Sequence, residues 1–177
     1  HWYDYAGTPE ISVRDEYDAA AQRYTLQMTQ QVPDTPGQTR KPPFLVPIVT
    51  GLVGADGSDI PARLAGNTES LMQHTLALTQ ATQSFVFEGV DERPVPSLLR
   101  NFSAPVKLSF DCSDEQLMFL MAHDSDGFNR WDAGQTLFQR VILGRVEDRA
   151  AGRPMRMPEG LLEALGDHVL HGHVLVD

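Results

Sequence analysis

At Cys112-Ser113 the spacing of apolar residues changes from two to about 3.6, and no single uniform secondary structure can satisfy both periods. A chain built this way must fold as a β-rich part followed by a helical part. The change coincides with Ser113-Asp114-Glu115-Gln116, where a serine followed three residues later by glutamine has the spacing of an N-terminal capping box. Helix is therefore expected to begin at that point. The domain reading that follows is 1–112 for the β part and 113–177 for the helices.

Before the switch, Ile11 and Val13 alternate with polar neighbours, as do Tyr24, Leu26 and Met28, which predicts a hairpin turning between Asp15 and Ala21. Pro33, Pro36, Gly37, Pro42 and Pro43 then define a loop, because proline donates no ladder hydrogen bond and fixes its own φ. The nearly continuous apolar run Phe44 to Val53 reads as a buried central strand that ends in the turn Gly54-Ala55-Asp56-Gly57. Leu76 with Leu78, Phe85 to Phe87, Val95 to Leu99, and Val106 with Leu108 and Phe110 complete about seven short strands. Strands with such turns and no intervening helices predict an antiparallel β-sandwich, mainly β with a helical extension.

Beyond the switch, Leu117, Leu120 and Met121 form one stripe. A second helix carries Phe128, Trp131, Phe138, Val141, Ile142 and Val146, with Arg130, Asp132, Gln139 and Arg140 on its polar face. Ala150-Ala151-Gly152-Arg153-Pro154 ends it, and a third helix is expected from Pro158-Glu159 through Leu161, Leu162, Leu165 and Val169. Successive amphipathic helices with short connections suggest the start of a stacked helical array. Leu161, Leu162 and Leu165 have few partners within so short a stretch, so they are expected to present an apolar surface through which the chain could self-associate.

Charge narrows the partners. A formal net charge of -10, with only Lys41 and Lys107 as lysines and the Arg145 to Arg156 stretch diluted by Glu147 and Asp148, argues against a nucleic-acid partner. The sequence has no apolar run approaching 18 residues and no basic-then-apolar leader, so neither a membrane span nor a signal peptide is expected. The single Cys112 forms no internal disulfide and fits a reducing, cytoplasmic setting, with the periplasm as the alternative. His1-Trp2-Tyr3 at one end and Val174 to Asp177 at the other, just after a periodic apolar stretch, suggest a segment of something longer.

Several groups could in principle carry chemistry. His168, His171 and His173 are the nearest approach to a metal cluster, yet only the first two would share a helix face and no cysteine accompanies them. His123-Asp124-Ser125-Asp126 contains triad residue types, but helix capping by Asp124 or Asp126 explains the acids better than catalysis does. Cys112 lacks a neighbouring histidine or second cysteine and reads as a packing residue. Gly51, Gly54 and Gly57 are spaced for turns rather than for a phosphate loop. Trp2, Tyr3 and Tyr5 read as a core or interdomain anchor rather than a ligand platform. No catalytic, cofactor-binding or metal-ligating residue is assigned.

Pro94-Val95-Pro96-Ser97-Leu98-Leu99-Arg100-Asn101-Phe102-Ser103-Ala104-Pro105-Val106-Lys107-Leu108 is followed by Phe119 to Asp124 and Phe128 to Ala133. Together these stretches closely resemble the bacterial aminopeptidase N family of zinc metallo-aminopeptidases. Trp2-Tyr3, Ala6 to Pro9, Tyr24 to Leu26, Pro33 to Gly37 and Pro47-Ile48 add to the likeness, which thins after about Val146. The resemblance implies an immunoglobulin-like sandwich joined to the first helices of a helical-array domain. It also implies partners in the parent's catalytic and helical domains, with zinc in the parent's catalytic domain alone. The family's His-Glu-x-x-His and Gly-Ala-Met-Glu-Asn motifs are absent from this sequence, so no functional residue carries over. The leading expectation is a non-catalytic, interdomain structural segment. Two other classes are an independent immunoglobulin-like binding module and a small metallohydrolase using the histidine cluster.

Overall fold

The structure is a computed structural model that describes residues 2–154, 160, 161, 165 and 166. The chain divides into two compact units, residues 1–111 and 112–177.

In the first unit, nine strands among the described residues form two sheets. They are β1 (Glu10–Asp18), β2 (Arg23–Gln31), β3 (Val46–Val53), β4 (Ala62–Leu64), β5 (Ser70–Leu71), β6 (Gln73–Leu78), β7 (Thr82–Glu88), β8 (Val95–Leu98) and β9 (Lys107–Phe110). One sheet has the order β5-β4-β7-β2-β1-β9 and the other β6-β3-β8. The expected hairpin is β1 and β2, paired from Glu10 opposite Gln31 to Asp18 opposite Arg23, so the turn falls a little later than the sequence suggests. Alternation works as read: Ile11, Val13, Tyr24, Leu26 and Met28 point inward and meet Phe85 and Phe87 of β7. Val46, Ile48 and Leu52 of β3 with Leu76 and Leu78 of β6 complete the same core from the second sheet. Each of these side chains contributes roughly 1.5–3 kcal/mol when fully buried.

Three features depart from the reading of seven antiparallel strands. The short β4 and β5, three and two residues long, show too little alternation to be seen in sequence. β9 runs parallel to β1, with Ile11 opposite Leu108, so the sandwich is not wholly antiparallel. The central strand begins at Val46 rather than Phe44, because Phe44 exchanges its backbone groups with a side chain instead of a strand. Buried Gln30 donates to the Phe44 carbonyl at 2.9 Å and accepts the Phe44 amide at 2.9 Å, while also donating to Gln80 at 3.0 Å. This glutamine thus ties the end of β2 to the chain entering the opposite sheet.

The second unit holds α1 (Asp114–His123) and α2 (Gly127–Ala150). The capping box is formed as expected: Ser113 Oγ accepts the Gln116 amide at 3.2 Å, and Gln116 Oε1 accepts the Ser113 amide at 2.9 Å. Leu117, Leu120 and Met121 are buried. On α2, however, the buried positions are Ala133, Gly134 and Leu137. Gly134 allows close approach, since a Cβ there would lie 3.1 Å from Met121 Sδ. Phe128, Trp131, Ile142 and Val146, read as the packing stripe, are instead exposed. The expected apolar surface at Leu161 is likewise corrected: Leu161 is buried and Leu165 half-buried, while Leu162 and Val169 lie outside the described residues.

Candidate functional site

Apart from Tyr3, the side chains singled out in the sequence as possible carriers of chemistry are placed in structural settings or lie outside the described residues. His168, His171 and His173 fall in the latter class. Asp126 caps α2 by accepting the Asn129 amide at 2.9 Å, and Asp124 accepts the Asp126 amide at 2.9 Å, which holds the turn between the helices. His123 is exposed and its ring meets that of Phe119 one helical turn earlier in a tilted contact, with centroids 4.9 Å apart. Those four residues are therefore a helix junction rather than a nucleophile and base in line. Cys112 is buried, and its carbonyl accepts from Arg140 at 2.7 Å. Gly54 and Gly57 make the expected tight turn, with the Gly57 amide donating to the Gly54 carbonyl, whereas Gly51, also read as a turn residue, lies inside β3. Trp2 packs edge-on against Phe44 with centroids 5.1 Å apart and donates to the Leu45 carbonyl, while Tyr3 is fully exposed. Of the aromatic cluster, Trp2 and Tyr5 anchor to the core and Tyr3 does not.

The first helix start has a distinct electrostatic setting. Its own backbone amide, and then the Ser113 hydroxyl, hold the Glu115 carboxyl below its ordinary pKa. Negative charge in the first turn also suits the positive helix end. On α2, partial burial pushes the Asp132 carboxyl above its ordinary range, although part of the side chain remains open to solvent.

The most constrained polar cluster was not singled out by sequence reasoning. Arg100, only 2% exposed, reaches Asp59 with both terminal nitrogens, at 2.9 and 2.6 Å, and donates through Nε to Ser97 Oγ at 2.8 Å. Its guanidinium lies over Gly51 of β3, so closely that a Cβ at that position would overlap its central carbon and both terminal nitrogens. Holding Arg100 there bends the backbone: Leu99 (φ 58°) and Asn101 (φ 56°) both take the left-handed region that non-glycine residues avoid. Such a fork-to-carboxylate pair fixes geometry more than it performs chemistry. A glycine inside an apolar strand run was the only available signal, since it marks a close approach without saying of what.

A shallow groove of about 400 Å³ runs beside β1 and β9, lined by residues that include Glu10, Ile11, Thr29, Gln31, Lys107 and Leu108. Glu10 and Lys107 form an exposed ion pair across it at 3.1 Å. Among the described residues, no group of three or more His, Cys, Asp or Glu side chains could hold a metal ion. What the described residues do assemble is a clamp and a hydrophobic core in the first unit and two helix caps in the second.

Comparison with known proteins agrees with that architecture. Residues 7–111 match the family described as domain of unknown function DUF3458, with an Ig-like fold, and residues 114–174 match DUF3458_C, described as ARM repeats. The chain is 40% identical over 163 residues to aminopeptidase N of Escherichia coli K12, covering 92% of this chain and 18% of that protein. It is 43% identical over 166 residues to aminopeptidase N of Caulobacter vibrioides, covering 93% of this chain and again 18% of the relative. The crystal structure of Legionella pneumophila aminopeptidase A in complex with aspartic acid superposes with a TM-score of 0.69 at 28% identity. That match covers 90% of this chain and 16% of the other. The chain thus spans less than a fifth of the length of the relatives it matches.

Proposed function

We propose, from the premise that this chain belongs to the DUF3458 family of Ig-like domains with its ARM-repeat companion, that it is a non-catalytic structural segment of an aminopeptidase N. The observation that carries this reading is the alignment itself, which runs through 92% of the chain yet accounts for 18% of the Escherichia coli relative. In this reading residues 1–112 form the immunoglobulin-like domain and residues 113–177 the first helices of the helical domain. The sandwich is a rigid spacer that fixes the helical domain against the peptidase domain. The whole protein removes N-terminal amino acids from peptides in the cytoplasm, using zinc held by its catalytic domain.

The physical role of this segment is then stiffness. The Arg100 clamp and the Gln30 bridge replace soft loop contacts with short, multiply hydrogen-bonded ones, and the chain around Leu99 and Asn101 keeps a strained path for it. Zinc has no site among the described residues, and no step of hydrolysis is assigned to this chain. Among the described residues, no helix is long and apolar enough to cross a membrane.

The test is hydrolysis of aminoacyl anilides by the purified 177-residue chain and by the full-length protein, each with added zinc. Turnover by the full-length protein alone is expected. Zinc-dependent release of amino acids by the isolated chain, beyond what a mock purification gives, would overturn the reading.

A further inference from the structure

Residues 2–8 lead into β1 without forming a strand, and Tyr3, Asp4, Ala6, Gly7 and Thr8 among them are exposed. A lead-in of that kind frays unless other parts of the chain tie it down. Two side chains of the proline-rich loop do so. Gln38 accepts the Ala6 amide at 2.7 Å and donates to the Asp4 carbonyl at 3.1 Å. Lys41 Nζ donates to the carbonyls of Ala6 at 2.5 Å and Pro33 at 2.6 Å, and to Thr35 Oγ1 at 2.9 Å. Both backbone groups of Ala6 are thus taken by side chains of one loop, and the Lys41 ammonium directs its three donors at neutral oxygens. Trp2 adds a third hold through Phe44 and the Leu45 carbonyl.

The gripping loop is itself held in shape. Thr35 and Gln38 exchange backbone hydrogen bonds at 3.0 and 2.9 Å. Arg40, between the two gripping residues, takes the left-handed region (φ 55°) with its amide on Asp34 Oδ1 at 3.3 Å. Just past the grip, Gly7 (φ 105°) turns the chain toward β1, and a Cβ there would come within 3.4 Å of Lys41 Nζ and of the Pro33 carbonyl oxygen. A single anchor at Trp2 would leave the lead-in free to pivot, whereas holds at Trp2, Asp4 and Ala6 fix its direction.

We propose that Gln38 and Lys41, with Trp2, form a clasp that sets the direction in which the polypeptide joined through the lead-in leaves the sandwich. This rests on the proposed function: there the helical domain follows at residue 113, so the peptidase domain is joined through residues 2–8, and the clasp makes that joint rigid. Domains linked by a single crossing of the chain otherwise move relative to one another. Gln38 and Lys41 are positioning residues, which act through the lead-in and touch no substrate.

The experiment uses the full-length protein, freed of other reactive thiols, with one spin label at Ser84→Cys, an exposed position on β7, and a second on the surface of the peptidase domain. Pulsed EPR reads the spread of distances between them. In the double variant Gln38→Leu, Lys41→Ala the spread is expected to widen at least ~2-fold, while chymotrypsin cuts at Tyr3 or Tyr5 at least ~10-fold faster in native buffer. Lys41→Ala alone is expected to change both in the same direction. Propylammonium, which replaces the atoms removed from the lysine, is expected to reverse the changes in Lys41→Ala, a reversal that an unfolded variant would not show. Faster cleavage with an unchanged spread would overturn the proposal, leaving a tie of local consequence only. Unchanged cleavage would overturn the clasp itself. Widening that propylammonium does not reverse would overturn the proposal in favour of general loosening of the sandwich. Aminoacyl anilide hydrolysis by the unsubstituted full-length protein, measured separately, reports on the proposed function and not on the clasp.

Discussion

Replacing Gly51 by alanine is the sharpest single perturbation of the sandwich. The added methyl would occupy the space of the Arg100 guanidinium, which is itself held by Asp59 at 2.6 and 2.9 Å and by Ser97 at 2.8 Å. Two responses are open to the protein. β3 can shift, which for overpacking costs about 1–3 kcal/mol, or Arg100 can leave, which breaks a buried ion pair at about 3–5 kcal/mol. Shifting β3 disturbs its pairing with both β6 and β8, since Gly51 lies opposite Gln73 on one side and Ser97 on the other. The expected loss is therefore about 3 kcal/mol, a large fraction of the roughly 5–15 kcal/mol available to a domain. Denaturant unfolding in a Trp131→Phe background isolates Trp2, the other of the two tryptophans, as a reporter of the sandwich core through Phe44. Arg100→Ala supplies the control, for without the guanidinium the methyl at 51 has space. The two changes should be non-additive by at least about 2 kcal/mol. A Gly51→Ala cost under about 1 kcal/mol, or additivity with Arg100→Ala within about 0.5 kcal/mol, would refute the clamp as described.

Ser113→Ala should cost about 1 kcal/mol of helical-unit stability by freeing the Gln116 amide, read as faster hydrogen exchange at the start of α1. Unchanged exchange would show the cap to be idle. Glu115, whose pKa is lowered on folding, contributes stability that is present above its unfolded value and fades as pH falls, so Glu115→Gln should flatten the acid limb of α1 unfolding. Asp132 has the opposite sign: its pKa is raised on folding, so its ionised form is disfavoured at neutral pH. Asp132→Asn is expected to raise the melting temperature at pH 7 and to have no effect below the unfolded carboxyl pKa. A destabilising result at pH 7 would count against that setting. Buried Cys112 should react with thiol reagents only as fast as its unit opens, and rapid labelling in native buffer would contradict its burial.

Much of this fold is local and therefore legible in the residues. Alternation at Ile11, Val13, Tyr24, Leu26 and Met28 dictates which side of a strand is buried, whatever that strand pairs with. The Ser113 to Gln116 box starts a helix because its donors and acceptors lie within one turn of each other. The sequence also contained the words of a family, and those sufficed for the sandwich-plus-helices architecture. Tertiary structure alone decided which distant groups meet. Arg100 finds Asp59 across 41 residues of chain and lies on Gly51 of another strand, and nothing near Arg100 in sequence announces either partner. β9 lies parallel to β1, a choice that four alternating residues cannot encode. On α2 the 3.6 period revealed an apolar stripe without saying which side of the helix meets α1, and the buried side turned out to be that of Ala133, Gly134 and Leu137. Periodicity records how a helix is wound; burial depends on what the rest of the molecule brings to each side.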